Sequence, residues 1–241
     1  MAEHRWLIIH LEAPLMAFGG VTIDAIGVTR DFPATSMLTG LFANALGWRR
    51  TEWEKHQCLQ DRLVFAARRD RENPAGVLTD VQNAQLKNDD KGWTTWGQPE
   101  GRAGGLNTFS APHRRRRDYH MDAAVTIALR LEPEHESPNI EALAEALDRP
   151  ARPLFIGRKP CLPSCRLNGG FVTAPTAYAA LKSIPCKGAA RALWPLGEGP
   201  QEGAEVHRII DLPDIRNWRT GLHGGVRKVV EGTVTAERPG P

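Results

Sequence analysis

GRAGGLNTFSAPHRRRRDYH, residues Gly101 to His120, is followed directly by the strand-like sequence DAAVTIALRL, residues Asp122 to Leu131. The first stretch holds five arginines against one aspartate, with aromatic and imidazole rings between them. Guanidinium groups bind phosphates through forked hydrogen bonds, and aromatic rings stack on unpaired bases. An acidic protein surface would use the charge but not the rings. The pattern therefore predicts RNA binding, with a simple solvated loop as the alternative.

Irregular sequence rich in aromatic residues precedes the arginines. A stretch of roughly 35 residues without periodicity is uncommon inside a compact domain unless it is functional or disordered. Linkers are typically poor in aromatic residues, which favours the functional interpretation. We therefore expect a projecting hairpin or arm that becomes ordered on its ligand. The candidate RNA contacts here are Trp93, Trp96, Arg114, Arg115, Arg116, Arg117, Tyr119 and His120.

The composition is that of an ordinary globular protein, with 41% hydrophobic and 24% charged residues among 241. The net charge is only +3, so a nucleic-acid site must come from local clustering. The N-terminal sequence lacks the features of a signal peptide, and no apolar run is long enough to span a bilayer. We therefore expect a cytoplasmic protein that makes no membrane contact.

Neither a metal site nor another cofactor is expected. The four cysteines are too few and too unevenly spaced for a disulfide framework, so they are expected to be reduced thiols. Cys161 and Cys165 are close in sequence, but no second pair stands at the spacing of zinc ligands. The glycine pairs lack the Gly-Lys-Ser/Thr ending of a phosphate-binding P-loop.

Apolar periodicity predicts alternating strands and helices. The predicted elements are a strand at Arg5–Leu11, a glycine-containing loop at 13–20, a helix from Thr35 or Ser36 that ends at Gly47, a helix at Thr51–Gln60, strands at Leu63–Ala67 and Val77–Ala84 with a charged turn at Arg68–Gly76 between them, a strand at Ala123–Leu131, a helix at Ile140–Leu147, and a strand from Pro153 that leads into a basic turn before Pro163. This βαββαβ order indicates an α+β, ferredoxin-like fold.

The remaining residues predict a smaller β-rich unit. We expect a short helix near Thr176–Ile184 and strands at Val206–Ile210 and Val226–Val230. The predicted organisation is a ferredoxin-like domain at 1–165, with an arm inserted at about 85–120, and a C-terminal extension at 166–241.

The predicted start of the first helix is a candidate anion site. The first backbone N–H groups of a helix are unpaired, and the helix macrodipole is positive there. Arg30 lies a few residues before this point. We predict that Arg30, Thr35 and Ser36 contact an RNA phosphate. Ordinary capping by the two hydroxyl groups is the alternative explanation.

Five stretches, in order along residues from about 5 to 165, together resemble a known family. They resemble the CasD subunits of the type I-E CRISPR surveillance complex Cascade, which are CRISPR-associated proteins of family five in the RAMP superfamily. Beyond Cys165 the resemblance is weak, although Gly221–Val230 is similar to the RAMP glycine-rich loop. The five stretches are Pro14–Gly20, Arg30 to the helix after Thr35, Leu78–Asp80, Arg117–Ala123 and Leu154–Cys161.

The resemblance implies an RRM-like, ferredoxin-like domain whose long thumb hairpin is the Gln85–Arg117 region. It implies a non-catalytic subunit that caps the 5′ handle of the CRISPR RNA in antiviral defence. The implied partners are the CRISPR RNA, a CasC-like backbone subunit, a CasA-like large subunit and, indirectly, target DNA. Its motifs place RNA contacts at Arg30, Ser36, Arg117, Tyr119, Arg158 and Lys159.

Two alternatives remain at this point. Some relatives in other CRISPR subtypes cleave precursor RNA by attack of a 2′-hydroxyl, which needs an acid, a base and a cation near one phosphate. The residues of suitable type here are Tyr119, His120, His113 and Lys159. The resemblance to type I-E, in which a separate subunit cleaves the RNA, favours a non-catalytic role. The third possibility is a protein-interaction scaffold whose arginines meet an acidic partner.

Overall fold

The computed structural model describes residues 2–23, 25–84, 92–93, 99–100 and 113–236. Within these ranges, ten strands form one sheet and two short strands form another. The large sheet contains β1 (His4–Met16), β2 (Thr22–Ile23), β3 (Ile26–Gly27), β4 (Leu63–Arg71), β5 (Val77–Ala84), β8 (His113–Leu131), β9 (Asn168–Ala174), β10 (Ala189–Pro195), β11 (Val206–Leu212) and β12 (Arg227–Thr235). The small sheet contains β6 (Gly92–Trp93) and β7 (Pro99–Glu100).

Four helices lie between the strands in the described part of the chain. They are α1 (Thr35–Ala45), α2 (Trp53–Arg62), α3 (Ile140–Asp148) and α4 (Ala177–Ser183). The molecule is therefore mostly sheet with few helices, in a mixed α+β fold. None of these helices is long and apolar enough to cross a membrane.

The centre of the large sheet has the strand order β4-β8-β1-β9, and every neighbouring pair is antiparallel. The connection from β1 to β4 runs through α1 and α2 and passes over β8. The connection from β8 to β9 runs through α3 and passes over β1. The strands β10, β12 and β11 continue the sheet beyond β4, because β10 pairs with β4.

Apolar side chains are buried on both faces of the central strands. On one face, Leu7, Ile9 and Leu11 of β1 pack in the same cluster as Leu38 and Phe42 of α1. On the other face, a second cluster gathers around α4. The second cluster includes Trp6, Ile8, Ala128, Ala177, Leu181 and Trp194. Side chains that alternate between two covered faces explain why β1 reads as a continuous apolar run.

Most predicted elements are confirmed, namely α1, α2, α3, α4, β5, β11 and β12 with small shifts of their ends. The predicted loop at 13–20 and the predicted charged turn at 68–76 were wrong in their first residues. β1 continues to Met16, which pairs with His120 of β8. β4 continues to Arg71, and its Arg68 side chain is fully buried. Local proline and charged residues predicted that both strands end early, but pairing with β8 extends each of them.

The predicted strand from Pro153 is also wrong, because residues 151–167 form no strand. Prolines lack the N–H that a strand needs, and three of them lie between 153 and 163. The segment instead closes on itself, since Ile156 N–H donates to the Cys161 carbonyl at 2.7 Å. β9 pairs with β1 in place of the predicted strand. The residues on both sides of position 165 therefore share one sheet.

Candidate nucleic-acid interface

The arginine run is part of a regular β-strand, not of a loop. β8 begins at His113, and its first half pairs with β5 in register from Ala84↔His113 to Val77↔His120. On the other side, β3 runs parallel to it, with Ile26 opposite Arg116 and Gly27 opposite Arg117. We call Arg114–Arg117 the arginine strand. Three paired strands hold its backbone straight, so its side chains alternate between two faces.

The first three guanidinium groups of the arginine strand are presented to solvent. Arg114, Arg115 and Arg116 are exposed, and none forms an ion pair with a carboxylate among the described residues. Arg114 and Arg116 lie on one face of the ribbon, and Arg115 lies on the other. Because nothing in the described part of the chain neutralises them, these three cations are available to a polyanion.

Arg117 and Arg158 meet at the base of the ribbon. The Arg158 guanidinium donates to the Asp118 carbonyl at 2.8 Å and to the Gly27 carbonyl at 2.9 Å. The Arg117 Nη1 donates to the carbonyl of Arg116 at 2.9 Å. A Cβ on Gly27 would lie 3.0 Å from Arg117 Cδ and 3.2 Å from Arg158 Nη2, so both side chains pack closely against the Gly27 backbone. The structure therefore brings these two predicted residues together as supports of the ribbon.

Tyr119 and His120 are placed differently from the prediction, because both are buried. Their exposed fractions are 4% and 3%. The Arg158 cation lies 4.9 Å above the Tyr119 ring, and Tyr119 belongs to the main apolar cluster. Both rings are packed against protein atoms, so their burial does not support the predicted direct RNA contact through these side chains. The ribbon joins the core of the sheet at this point. Two consecutive strand residues are buried here, so no polar–apolar alternation marks the change.

His120 is held as a neutral ring. Its Nε2 lies 2.7 Å from the Arg30 carbonyl, and its Nδ1 lies 3.4 Å from the Arg69 Nη2. A ring that donates from Nε2 and accepts at Nδ1 satisfies both contacts. Burial lowers the pKa of His120, and the Arg69 cation lowers it further, although the hydrogen bond to the Arg30 backbone opposes this.

The start of α1 is occupied by a carboxylate of the protein itself. Asp214 Oδ2 accepts from the Thr35 N–H at 3.0 Å and from its hydroxyl at 3.1 Å, and the Ser36 N–H donates to the Asp214 carbonyl at 3.2 Å. Asp214 is fully buried and paired with Arg227. The structure therefore does not support the predicted phosphate contact at Thr35, because Asp214 already accepts from its N–H and its hydroxyl. The sequence could not show this, because the capping residue is 179 positions away.

The other predicted residues are spread around this region. The Arg30 Nη2 donates to the Pro213 carbonyl, while its Nε is buried without a partner among the described residues. Lys159 is exposed beside Arg158. Trp93 pairs through its backbone with Pro99 between β6 and β7. Trp96 lies outside the described residues, as do the side chains of Trp93 and His113.

A cavity of about 370 Å³ lies next to the base of the ribbon. Its wall residues come from the turn after β1, from α1, from the segment before β9 and from the loop between β11 and β12. The lining includes Gly19, Gly20, Ser36, Phe155, Arg158, Arg216, Trp218 and His223. Arg216 and His223 were missed by the sequence interpretation. The similarity of Gly221–Val230 to a glycine-rich loop was the available signal.

The four cysteines are free thiols in the structure. Burial raises the pKa of the Cys161 thiol, and burial likewise raises that of Cys165. Within the described ranges, no group of three or more His, Cys, Asp or Glu side chains is arranged to hold a metal ion.

Sequence comparison assigns a family to this chain. The profile of the family described as CRISPR-associated protein (Cas_Cas5) matches residues 6–230. Subunit CasD of the CRISPR system Cascade from Escherichia coli (strain K12) is 30% identical over 156 residues. That alignment covers 65% of this chain and 66% of the relative.

Solved structures share the fold. A chain of a CRISPR RNA-guided surveillance complex superposes with a TM-score of 0.65 at 20% identity, covering 95% of this chain and 90% of that one. A structure described as a Cas protein superposes with a TM-score of 0.57 at 22% identity, covering 95% and 94%. These likenesses extend over nearly the whole α+β fold, and the family profile spans most of the sequence. The chain therefore belongs to the Cas5 family of CRISPR-associated proteins.

Proposed function

We propose that this chain is a non-catalytic RNA-binding subunit that caps the 5′ handle of the CRISPR RNA in a type I-E Cascade complex. The observation that carries the proposal is the arginine strand, which presents Arg114, Arg115 and Arg116 to solvent on a paired β-ribbon. The similarity to the CasD subunit of Cascade supports the choice of complex. The polyanion is then the RNA of a ribonucleoprotein that acts in antiviral defence.

The topology supports the ferredoxin-like assignment. The two crossing connections, from β1 to β4 and from β8 to β9, give the βαββαβ order with β9 as the last strand. β5 and the first half of β8 extend from this domain as two arms of a hairpin. We propose that they form the base of the thumb, whose predicted range, Gln85–Arg117, lies mostly outside the described residues.

The rigidity of the ribbon favours RNA over a non-specific acidic surface. A guanidinium on a fixed strand has a defined position, so less side-chain and backbone entropy is lost when it binds a phosphate. Arginine also offers a planar fork that matches phosphate geometry. Since Arg117 and Arg158 bind backbone carbonyls at the base, we propose that they position the strand while the three exposed arginines contact the RNA.

One face of the ribbon also suits a protein neighbour. On the face of Arg116, its cross-strand partners Ile26 and Val81 are 47% and 52% exposed. An apolar pair around a cation fits the composition of a subunit interface. We propose that Ile26 and Val81 contact the CasC-like backbone subunit or the CasA-like large subunit, while the Arg116 guanidinium contacts the RNA, and that target DNA is met only through the assembled complex.

The buried state of the acid–base candidates favours a non-catalytic role. A general base must lie within hydrogen-bond reach of the proton that it takes. Tyr119 lies beneath Arg158, and both nitrogens of His120 face protein atoms. Among the predicted catalytic residues whose side chains are described, only Lys159 is exposed. Endonuclease activity is therefore the less favoured function.

The proposed function is tested by scoring RNA binding and cleavage together. Purified protein is incubated in EDTA with end-labelled repeat RNA and with the mature handle oligonucleotide, followed by native and denaturing gels. We expect the protein to retard the handle RNA without cleaving it. The triple variant Arg114→Gln/Arg115→Gln/Arg116→Gln should retard this RNA less. A cut at one repeat position that the protein makes reproducibly would establish the endonuclease instead. Tight binding of an acidic protein with no preference for RNA would support the scaffold.

A further inference from the structure

We propose that the 370 Å³ cavity beside the ribbon binds one phosphate of the RNA backbone together with its nucleotide. The inference rests on the proposed RNA-binding function and adds a site that the arginine strand does not include. The residues that would hold the phosphate are Arg216 and His223, and Ser36 also lines the cavity.

Arg216 is a cation without an acceptor. Its Nε is buried, and its guanidinium makes no hydrogen bond or ion pair with any described residue. The Arg216 guanidinium lies over the ring of Trp218, whose centroid is 5.1 Å from the Arg216 Cζ. Buried guanidinium donors are almost always satisfied in folded proteins. An acceptor that enters the cavity would supply the missing bonds.

His223 lies opposite Arg216 in the same loop and also lines the cavity. The two residues form a backbone bridge across the loop between β11 and β12, and the Nδ1 of His223 is buried without a partner among the described residues. Burial lowers the pKa of His223, and the cations of Arg216 and Arg30 lower it further. An anion between these groups would oppose that effect and favour the protonated ring.

The guanidinium of Arg50 lies close to that of Arg216. A Cβ on Gly221 would lie 3.2 Å from Arg216 Nη2 and 3.7 Å from Arg50 Nη2, so both groups surround one point. Burial lowers the pKa of Arg216, and the charge of Arg50 lowers it further. Arg50 does not line the cavity, but its charge repels that of Arg216, and an anion bound to Arg216 in the cavity would relieve the repulsion.

None of the described residues that line the cavity is acidic. Asp214 is the nearby carboxylate, but it is fully buried and committed to Thr35 and Arg227. The site therefore does not rest on the start of α1, which Asp214 already caps. The positive charge at the cavity comes from the arginine side chains that line it, Arg158 and Arg216.

The position of the cavity favours an RNA phosphate over an isolated small anion. Arg158 lines the cavity and also donates to the Asp118 carbonyl next to the arginine strand. An RNA chain bound along that strand can therefore continue into the cavity. A volume of about 370 Å³ is at the lower end of small-ligand sites, which suits a single nucleotide but not a duplex. Gly19 and Gly20, both at positive φ, keep one wall free of side chains.

The test determines whether the Arg216 side chain binds one particular phosphate of the RNA backbone. A set of handle RNAs, each with a single neutral methylphosphonate at a different position, is titrated into wild-type protein, Arg216→Gln and His223→Gln. The matched control is Arg219→Gln, an exposed arginine of the same loop. We expect one position, or two adjacent ones, at which the neutral linkage weakens wild-type binding about tenfold and Arg216→Gln binding hardly at all. His223→Gln should reduce the effect at the same position, whereas Arg219→Gln should retain it.

Two results would overturn the inference in different ways. If RNA binds but every methylphosphonate weakens wild type and Arg216→Gln equally, the cavity does not hold a backbone phosphate, while the proposed function stands. If no RNA binds to the wild type, the proposed function and this inference fail together. A parallel titration with AMP identifies a free-nucleotide site, which would replace the RNA site if AMP binding is lost in Arg216→Gln without coupling to any RNA phosphate. Thermal unfolding of each variant confirms that the compared proteins are folded.

Discussion

Asp214 accepts two hydrogen bonds from Thr35, one from its N–H at 3.0 Å and one from its hydroxyl at 3.1 Å. The two residues are 179 positions apart, so the loop between β11 and β12 caps the first helix of the chain. Asp214 also binds Arg227, whose guanidinium lies over the ring of Phe65 with a centroid distance of 4.4 Å. The C-terminal strands and the α1 side of the sheet are thereby locked together.

Removal of this carboxylate should destabilise the whole protein. Asp214→Ala leaves the Arg227 cation and the Thr35 donors without their acceptor, and loss of one partner of a buried ion pair typically costs about 3–5 kcal/mol. The measurement is the free energy of unfolding from urea titration. The matched control is Asp211→Ala, since Asp211 pairs with Lys228 at 3.0 Å on the exposed surface. Such pairs contribute about 1 kcal/mol or less, and equal effects of the two substitutions would refute the capping role.

Gly157 should tolerate no side chain. A Cβ at this position would lie 1.7 Å from the Ala17 carbonyl oxygen, and the residue has φ +83°. The control Gly170 has φ +84° but open space around it. Gly170→Ala should therefore show the backbone strain alone, about 1–2 kcal/mol. Gly157→Ala should lower the thermal midpoint several times more, and equal midpoints would show that the contact with Ala17 is not close.

The buried His120 should make stability depend on pH. Its pKa is lowered in the fold, so the unfolded chain binds a proton more readily than the folded chain does. Because the folded state binds this proton less readily, the free energy of unfolding is greatest above the ordinary histidine pKa of about 6.5. It decreases as the pH falls below that value. We expect the free energy of unfolding to decrease from about pH 7 to pH 5.

His120→Gln should reduce that decrease. A glutamine offers a donor for the Arg30 carbonyl and an acceptor for Arg69, but it does not titrate. A smaller slope will remain because the pKa of His223 is also lowered. The measurement is the urea midpoint between pH 5 and pH 8 for both proteins. Parallel curves would mean that His120 does not contribute.

Periodicity was sufficient to predict the helices and several strands. α3 is a clear case, because its apolar residues recur at helical spacing and Asn139 caps it as a local side chain. β5 was predicted with its observed ends. Signals of this kind are local, so one sequence contains them. The strand β10 lacked such a signal, since its sequence AARALWP does not alternate.

The site was predicted in part because its accessibility depends on distant pairing. The arginine run was visible in the sequence, and it is exposed as expected at Arg114, Arg115 and Arg116. Tyr119 and His120 come soon after it, yet they are buried because Arg158 and the main apolar cluster pack on Tyr119, and Phe18 packs on His120. No local pattern marks the residue at which a projecting ribbon enters the core.

The measurement that tests the central claim most directly is the salt dependence of RNA binding. The affinity for the handle RNA is determined between 50 and 300 mM salt, roughly the range in which released counterions dominate, for wild type, for Arg114→Gln/Arg115→Gln/Arg116→Gln and for the control Arg149→Gln. Arg149 is an exposed arginine just after α3, and it lies 4.0 Å from the Glu145 carboxylate.

If the arginine strand contacts RNA phosphates, the slope of log affinity against log salt should become smaller by about 2 in the triple variant, and it should not change in the control. This follows because each lost phosphate contact on a single strand removes about 0.7 from the slope. An unchanged slope in a folded triple variant would contradict the account, since the RNA would then be held by other residues.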